Sequence, residues 1–335
     1  MKRKIIEFIK KALFKFYKLK VNIYNLLNHR KYNVNIALVS CDKLKNKVTE
    51  DIYLKHYLNK NKAYVDIISW QDESIDYNKY DFIIIRSIWG FQNYQESFDK
   101  WLKKLEEENI KVYNSISIIK NSYNKEIQFN ILHKNNIKTI ETKFIYNYEN
   151  LEKEILSLKE NDFKKYNLLI TKPTISESSK DTYLVGSTNE NYNNLIDISE
   201  INNKYLKYKN RSKIMVQPFL KEVFDGEYSI TCLNNKITHA VIKYVNIFNN
   251  TNIIKYIPVS NLDYKIIELT QSILNIKEYK DSLYMRVDLI KYRDEFLVME
   301  VELLDPNLFL SFIPNKKYQK QVLNNFCKEV VEKNI

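Results

Sequence analysis

Glycine is nearly missing from this chain: 3 occur in 335 residues, at Gly90, Gly186 and Gly226. That spacing cannot form a G-x-G-x-x-G dinucleotide fingerprint or a Walker phosphate loop, so both are excluded. Cysteine is as scarce. Cys41, Cys232 and Cys327 are odd in number and far apart, which excludes a disulfide framework and a cysteine-based zinc site. The four histidines (His29, His56, His133 and His239) are scattered in the same way and give no metal-ligand spacing. No apolar run approaches the ~18–20 residues needed to span a bilayer, and mean hydropathy is −0.45. A reducing, cytoplasmic setting is the plain expectation.

Charge is present in excess but is not spread evenly. The net charge is +12, and residues 1–32 alone carry ten Lys/Arg against one acid, Glu7, for a balance of +9. The remaining 303 residues hold 43 basic and 40 acidic groups, so the body is close to neutral and nucleic acid is not an expected partner. Within residues 2–24, Ile5, Ile9, Ala12, Leu13, Phe16 and Ile23 share one helical face, while Lys4, Lys11, Lys15 and Lys18 share the other. Such a helix suits packing on the body or on a partner subunit, and it also suits peripheral contact with an anionic membrane surface. Lysines interrupt the apolar stretch and no small-residue cleavage site follows, so it does not read as a secretory signal.

From residue 34 the pattern alternates strand and helix. Strand-like runs lie at 34–40, 63–69, 81–87 and 111–114, with helical patterns at about 48–61 and 94–109. That alternation predicts a small parallel sheet, whose ligand crevice lies beyond the carboxyl ends of its strands. Arg86, Ser87 and Trp89 fall there and are candidate substrate contacts. After residue 115 the texture changes. Strands are expected at 143–147, 167–172, 182–185, 213–217, 227–233, 236–243 and 253–259, and helices at 123–134, 149–159, 263–279 and 316–332. The surplus of Asn, Lys, Ile and Tyr carries no functional signal.

The segment that carries chemistry is YMRVDLIKYRDEFLVMEVELLDPNLFL, residues 284–310. Two strands alternate strictly about a turn at Arg293, Asp294 and Glu295. A three-residue turn pairs Tyr292 with Phe296, and so places Asp288 opposite Glu300 and Arg286 opposite Glu302. Residues two apart share a face, so these four converge on one side. Met285, Val287, Leu289, Leu297, Met299, Val301 and Leu303 fill the other side as core. Like charges facing across a sheet destabilise it unless a cation lies between them. Oxygen donors without His or Cys point to Mg²⁺, with Mn²⁺ as its substitute. Arg286 beside them suits a transferring phosphoryl group.

RVDLI followed by MEVELLDP resembles the metal-binding hairpin of the ATP-grasp ligases, and upstream landmarks match that superfamily in order. Lys125 in NSYNKE and Lys172 in LLITKP resemble its two nucleotide-contacting lysines. MVQPFL, containing Gln217, Phe219 and Leu220, resembles the hinge that holds adenine through backbone groups. Glu227 in GEYSI resembles the ribose-binding acid. The resemblance implies that Asp288, Glu300 and Glu302 hold magnesium and that Arg286 and Lys243 are catalytic. The R-S-x-W turn, the H-A-V-x-K strand and the E-x-E-L-x-D-P-N ending are closest to a subgroup. It contains the O-ureido-serine cyclo-ligases of cycloserine biosynthesis, beside glutathione-synthase/RimK-type ligases. That similarity implies substrate contacts from His239 and Asn307 as well.

The expected fold is therefore α/β, an ATP-grasp module with an extra amphipathic helix. Its parts are a basic extension (1–33), a small parallel-sheet domain (34–120), and two nucleotide-clasping subdomains (121–214 and 215–335). The implied function is ATP-dependent joining of a carboxylate to an amine, with ATP and Mg²⁺ as cofactors and small-molecule substrates. A homodimer is compatible with this reading. The loop TISESSKD (174–181) contains no glycine, although ATP-grasp enzymes close a glycine-rich loop over the phosphates. Ser176, Ser178, Ser179 and Lys180 stand in its place. Residues 247–260 also lack the family's charged, glycine-containing pattern. A divergent substrate fits these departures, and so does a catalytically silent, nucleotide-binding scaffold.

Overall fold

A computed structural model describes residues 12, 15, 16, 18–21, 23, 32–176, 180–189, 192–209, 211–246 and 251–335. The rest of the basic extension, Ser178 and Ser179 of the polar loop, and residues 247–250 lie outside the described residues. The chain forms two compact units. One comprises residues 1–116 with 304–335, and the other residues 117–303. Residues 304–335, expected in the second nucleotide-clasping subdomain, group with the N-terminal unit. Among the described residues no helix is long and apolar enough to cross a membrane.

In the N-terminal unit, β1 (Val34–Ser40), β2 (Ala63–Ser69), β3 (Phe82–Ser87) and β4 (Val112–Tyr113) form a parallel sheet in the order β2-β1-β3-β4. β1 and β3 are continuous apolar runs, as strands covered on both faces must be. Helices α1 (Thr49–Lys60) and α2 (Gln95–Glu107) supply the crossovers. The C-terminal helix (Lys316–Glu332) packs beside α1, where Cys327 lies against the Leu54 carbonyl and Asn324 accepts from Asn61.

The second unit holds two five-stranded sheets. The first has the order β5-β9-β6-β7-β8, built from Lys143–Ile145, Ile214–Pro218, Leu168–Pro173, Tyr183–Gly186 and Leu195–Ile196. β8 lies in the Asn-rich stretch, where periodicity gave no sign of a strand. The other sheet is antiparallel with the order β12-β11-β10-β13-β14. Its strands are Thr251–Ile257, Lys236–Asn246, Glu227–Leu233, Tyr284–Tyr292 and Glu295–Glu302. Helix α3 (Lys125–Lys134) precedes the first sheet, and α4 (Tyr264–Leu274) covers one face of the second.

The hairpin β13–β14 differs from expectation in an instructive way. Its turn has two residues, since Tyr292 pairs with Glu295 rather than with Phe296, and Arg293 takes the left-handed conformation. That register would put Glu300 on the wrong face. A β-bulge at Met299 restores it, so Asp288 faces Glu300 and Arg286 faces Glu302 as expected. Between turn and bulge the faces are exchanged. Phe296 and Val298 join Met285, Val287, Leu289, Val301 and Leu303 in the core, while Leu297 and Met299 pack with Ile140, Leu220 and Ile290. The outer edge of β14 is held on either side of the bulge. Val298 pairs with residues 138–140, and the buried Gln128 amide clasps both backbone groups of Val301 at 2.7 and 2.9 Å.

Candidate functional site

The site is one face of the second sheet, built on alternation. Glu227, Ser229 and Thr231 of β10 share it with Ile290, Asp288 and Arg286 of β13, and with Lys243, Val241 and His239 of β11. Gly226, just before β10, sits at φ +118°, where a side chain would be strained and its Cβ would meet Ile242 at 2.4 Å. The opposite face, with Tyr228, Ile230, Cys232 and Ala240, packs under α4.

Charges on this face are interlocked. Arg286 grips Asp288 bidentately, Nε and Nη2 donating at 2.9 and 2.8 Å. Ser229 Oγ donates to the same carboxylate at 2.6 Å. Lys243 pairs with Glu227 and lies 3.5 Å from Asp288. From the other side of the unit comes Lys125, the first residue of α3, whose N-terminus Asn124 caps. Its ammonium sits 3.0 Å from Glu300 and donates to the Ser176 carbonyl at 2.7 Å. Lys172, on β6, is within electrostatic reach of Lys125, Glu300, Glu227 and Asp288. Counting Glu302, four acids (Glu227, Asp288, Glu300, Glu302) meet four bases (Lys125, Lys172, Lys243, Arg286).

Proton affinities follow from that arrangement. Burial pushes Asp288 up, but Arg286, Lys243 and the Ser229 hydroxyl override it and hold its carboxyl well below the usual range. Glu300 is likewise held low by Lys125 and Lys172 against its burial. Glu227 moves the other way, because burial outweighs the attraction of Lys243. Burial and the like charge of Lys125 bring Lys172 down to about 8, despite the nearby acids. The site thus holds two neighbouring lysines, an arginine and low-pKa carboxylates together, a combination suited to a polyanionic ligand.

Residues 36–114 match the family model of the N-terminal domain of the D-cycloserine synthetase DcsG. The chain aligns with the crystal structure of D-cycloserine synthetase DcsG over 90% of its length and 100% of that chain, with TM-score 0.73 and 16% identity. D-alanine–D-alanine ligase from Bacillus anthracis, complexed with ATP, gives TM-score 0.61 at 17% identity over 90% of this chain and 99% of that one. The ATP-grasp ligase PsnB, with a phosphomimetic precursor variant, Mg and ADP, gives 0.55 at 11% identity over 90% and 98%. The fold is that of the ATP-grasp ligases. No curated protein matches the chain by sequence.

Within the ATP-grasp fold the expected residues divide between the two units. Lys125, Lys172, Gln217, Phe219, Leu220, Glu227, His239, Lys243, Arg286, Asp288, Glu300 and Glu302 lie in the second unit. Leu220 joins Ile140, Ile290, Leu297 and Met299 in an apolar patch that continues the Asp288 row past Ile290. The Gln217 side chain is buried and donates to Thr142 Oγ1 at 2.8 Å, and Phe219 packs its ring among Leu168, Tyr192 and Phe224. His239 shares the Arg286 row but is fully buried, beside Thr238 Oγ1 at 3.0 Å. Ser176 Oγ is turned back to the Pro173 carbonyl.

Arg86, Ser87, Trp89 and Asn307 gather in the other unit, and the substrate role expected of Arg86 and Ser87 does not fit their surroundings. Arg86 is 2% exposed. Its guanidinium lies 3.6 Å from Glu50 and 3.7 Å from Asp51, and donates to the Pro306 carbonyl at 3.0 Å. Ser87 donates to Asp51 at 2.5 Å. Trp89 is 37% exposed, with its indole N–H on the Asp305 carbonyl at 3.2 Å. The exposed Asn307 accepts from the Phe309 amide. Sequence reasoning missed Ser229, although its place two residues after Glu227 was legible from alternation. It also missed Glu50 and Asp51, for which local sequence offers no signal.

Magnesium is tested by the donor set. Asp288, Glu300 and Glu302 are hard oxygen donors placed in register on adjacent strands, which fits the ion's preference. Among the described residues, no three His, Cys, Asp or Glu side chains are gathered closely enough to hold a metal. Arg286 and Lys125 occupy two of those carboxylates instead.

Proposed function

We propose that this protein is an ATP-dependent carboxylate–amine ligase, ADP-forming, that acts on a small amino-acid-like or secondary-metabolite substrate. The observation that carries the reading is the convergence of Lys125, Lys172, Glu227, Lys243, Arg286, Asp288 and Glu300 on one sheet face beside the apolar patch of Leu220 and Ile290. The patch suits an adenine ring and Glu227 the ribose. Lys125, Lys172 and Arg286 suit the triphosphate, exchanging their carboxylate partners for phosphate oxygens. Magnesium held by Asp288, Glu300 and Glu302 would supply countercharge to the phosphates. A substrate carboxylate oxygen attacks the γ-phosphorus and the bond to the β–γ bridging oxygen breaks, giving acyl-phosphate and ADP. An amine then displaces phosphate, forming the amide and releasing a proton. Arg286 and the two lysines favour charge developing on the phosphoryl oxygens.

Incubation with ATP, Mg²⁺, hydroxylamine and pools of carboxylic acids tests this. A hydroxamate formed together with ADP is the expected result, and its mass names the acid. A second reading, a silent nucleotide-binding scaffold, is favoured by the self-neutralised cluster and the glycine-free loop. It predicts ATP binding with neither ADP nor hydroxamate. Absence of ATP binding overturns both.

A further inference from the structure

Every described residue between positions 12 and 23 is helical. At 100° per residue, Ala12, Phe16, Leu19 and Ile23 fall within an arc of about 60°. All four are exposed, Phe16 at 69%, Leu19 at 57% and Ile23 at 49%. Val21, about 170° from the middle of that arc, is 1% exposed. The helix therefore rests on its unit through the side opposite its apolar stripe. Lys18 and Lys20 lie near enough to α1 to add to the burial that lowers Lys55 and His56. Exposed Lys15 and Lys20 flank the stripe, each within about 40° of its edge.

We propose that this face docks the protein on an anionic lipid bilayer. Phe16, Leu19 and Ile23 enter the boundary between headgroups and acyl chains, and Lys15 and Lys20 meet lipid phosphates. Charge decides between occupants. Residues 1–32 carry a balance of +9 on a body of only +3, so the attraction is local and oriented toward a negative surface. A second copy of the same helix would bring like charges together around the stripe. A nucleic-acid backbone would satisfy the lysines but leave three large apolar side chains in water. A bilayer satisfies both features at once. The inference is independent of the ligase reading.

The test is co-sedimentation of the full chain with phosphatidylcholine vesicles, with and without phosphatidylglycerol. Binding is expected only with the anionic lipid and weakens as salt rises. The variant Phe16→Ser/Leu19→Ser/Ile23→Ser should lower the partition coefficient at least about tenfold, with far-UV circular dichroism unchanged. Lys15→Gln and Lys20→Gln should each lower it about fivefold. Failure of the parent protein to pellet overturns the proposal, as does undiminished binding by the triple serine variant. A dimer in sedimentation velocity that the triple variant abolishes, without vesicle binding, would assign the face to a second copy. Duplex DNA binding as tight as vesicle binding and insensitive to the serines would assign the lysines to a polyanion.

Discussion

Each unit contains a cluster of buried charge built around one arginine, and the two clusters are satisfied by different partners. In the N-terminal unit the ion pairs of Arg86 with Glu50 and Asp51 are tied further to backbone. Glu50 accepts from the amides of Leu308 and Leu310, both at 2.9 Å, Asp305 accepts from the Ile88 amide, and Arg86 donates to the Pro306 carbonyl. Those bonds stitch the segment after β14 to the parallel sheet, and Arg86 and Asp51 are only 2% and 1% exposed. In the second unit the charges are held mostly by one another, with one backbone bond from Lys125 to Ser176. Arg286, Lys243 and Glu300 keep 14%, 17% and 28% exposure. An ion pair anchored on backbone, as Glu50 and Arg86 are, cannot be released without unfolding something, whereas a pair held mainly by side chains can change partner. Burial alone would not have separated the structural cluster from the site.

Removing an arginine is the strongest way to break this comparison. Arg86→Leu leaves Glu50 and Asp51 buried without their counter-ion, and should cost about 3–5 kcal/mol in urea unfolding. If that variant instead kept its stability and raised a substrate KM, the cluster would belong to the site.

Acid should act on the clusters in opposite directions. Burial, against the pull of Arg86 and Ser87, raises the Asp51 carboxyl from 3.8 to about 6. A raised folded-state pKa means that its contribution is complete below about pH 4 and is lost as pH rises through about 6. Stability relative to Asp51→Asn should therefore fall by up to about 3 kcal/mol between pH 4 and pH 7. Asp288 and Glu300 are held low, so their contribution is present at pH 7 and lost as pH falls. Melting curves from about pH 7 down to about pH 3, for wild type against Asp51→Asn and Glu300→Gln, should show differences of opposite slope, that of Asp51 between about pH 4 and 6 and that of Glu300 below about pH 4.5. Equal slopes would dissolve the distinction.

Glu300→Gln should also lower ADP formation about a hundredfold, comparable to losing one well-placed electrostatic group, while wild-type melting behaviour is largely kept at low pH. The weakest effect belongs to a pair outside both clusters. Lys138 and Glu295 lie 2.5 Å apart but are 63% and 55% exposed, and Lys138→Ala should leave the melting temperature unresolved from wild type.

Regular alternation makes the strands and most helices legible, whereas the pairing of Asp288 with Glu300 follows from a three-residue turn the chain does not have and holds because the bulge compensates for the shorter turn. Residues 296–299, Phe-Leu-Val-Met, are apolar throughout, so nothing in them chose a face, and the bulge there could not be foreseen. Arg86 sat where a crevice residue belongs. Its partners Glu50, Asp51 and Pro306 come from distant segments whose approach only the fold determines. The same holds for the C-terminal helix, whose docking beside α1 is a long-range event. The Asn surplus has a structural use that composition did not suggest. Asn46, Asn109, Asn136, Asn234 and Asn235 all take left-handed conformations, a task glycine performs in most chains.

The bulge at Met299 works as a vernier between the turn and the chemistry. Eleven residues separate Asp288 from Glu300. They can be folded with a three-residue turn and continuous pairing, or with a two-residue turn and one bulged residue; the chain uses the second. In both arrangements the same two carboxylates meet. Turn geometry and site geometry are therefore separable quantities in this hairpin. The loop at Arg293 and Asp294 is a place where the chain can be cut, lengthened or labelled without moving the Asp288–Glu300 row, and deleting Met299 alone would leave the two-residue turn with continuous pairing and the same two carboxylates opposed.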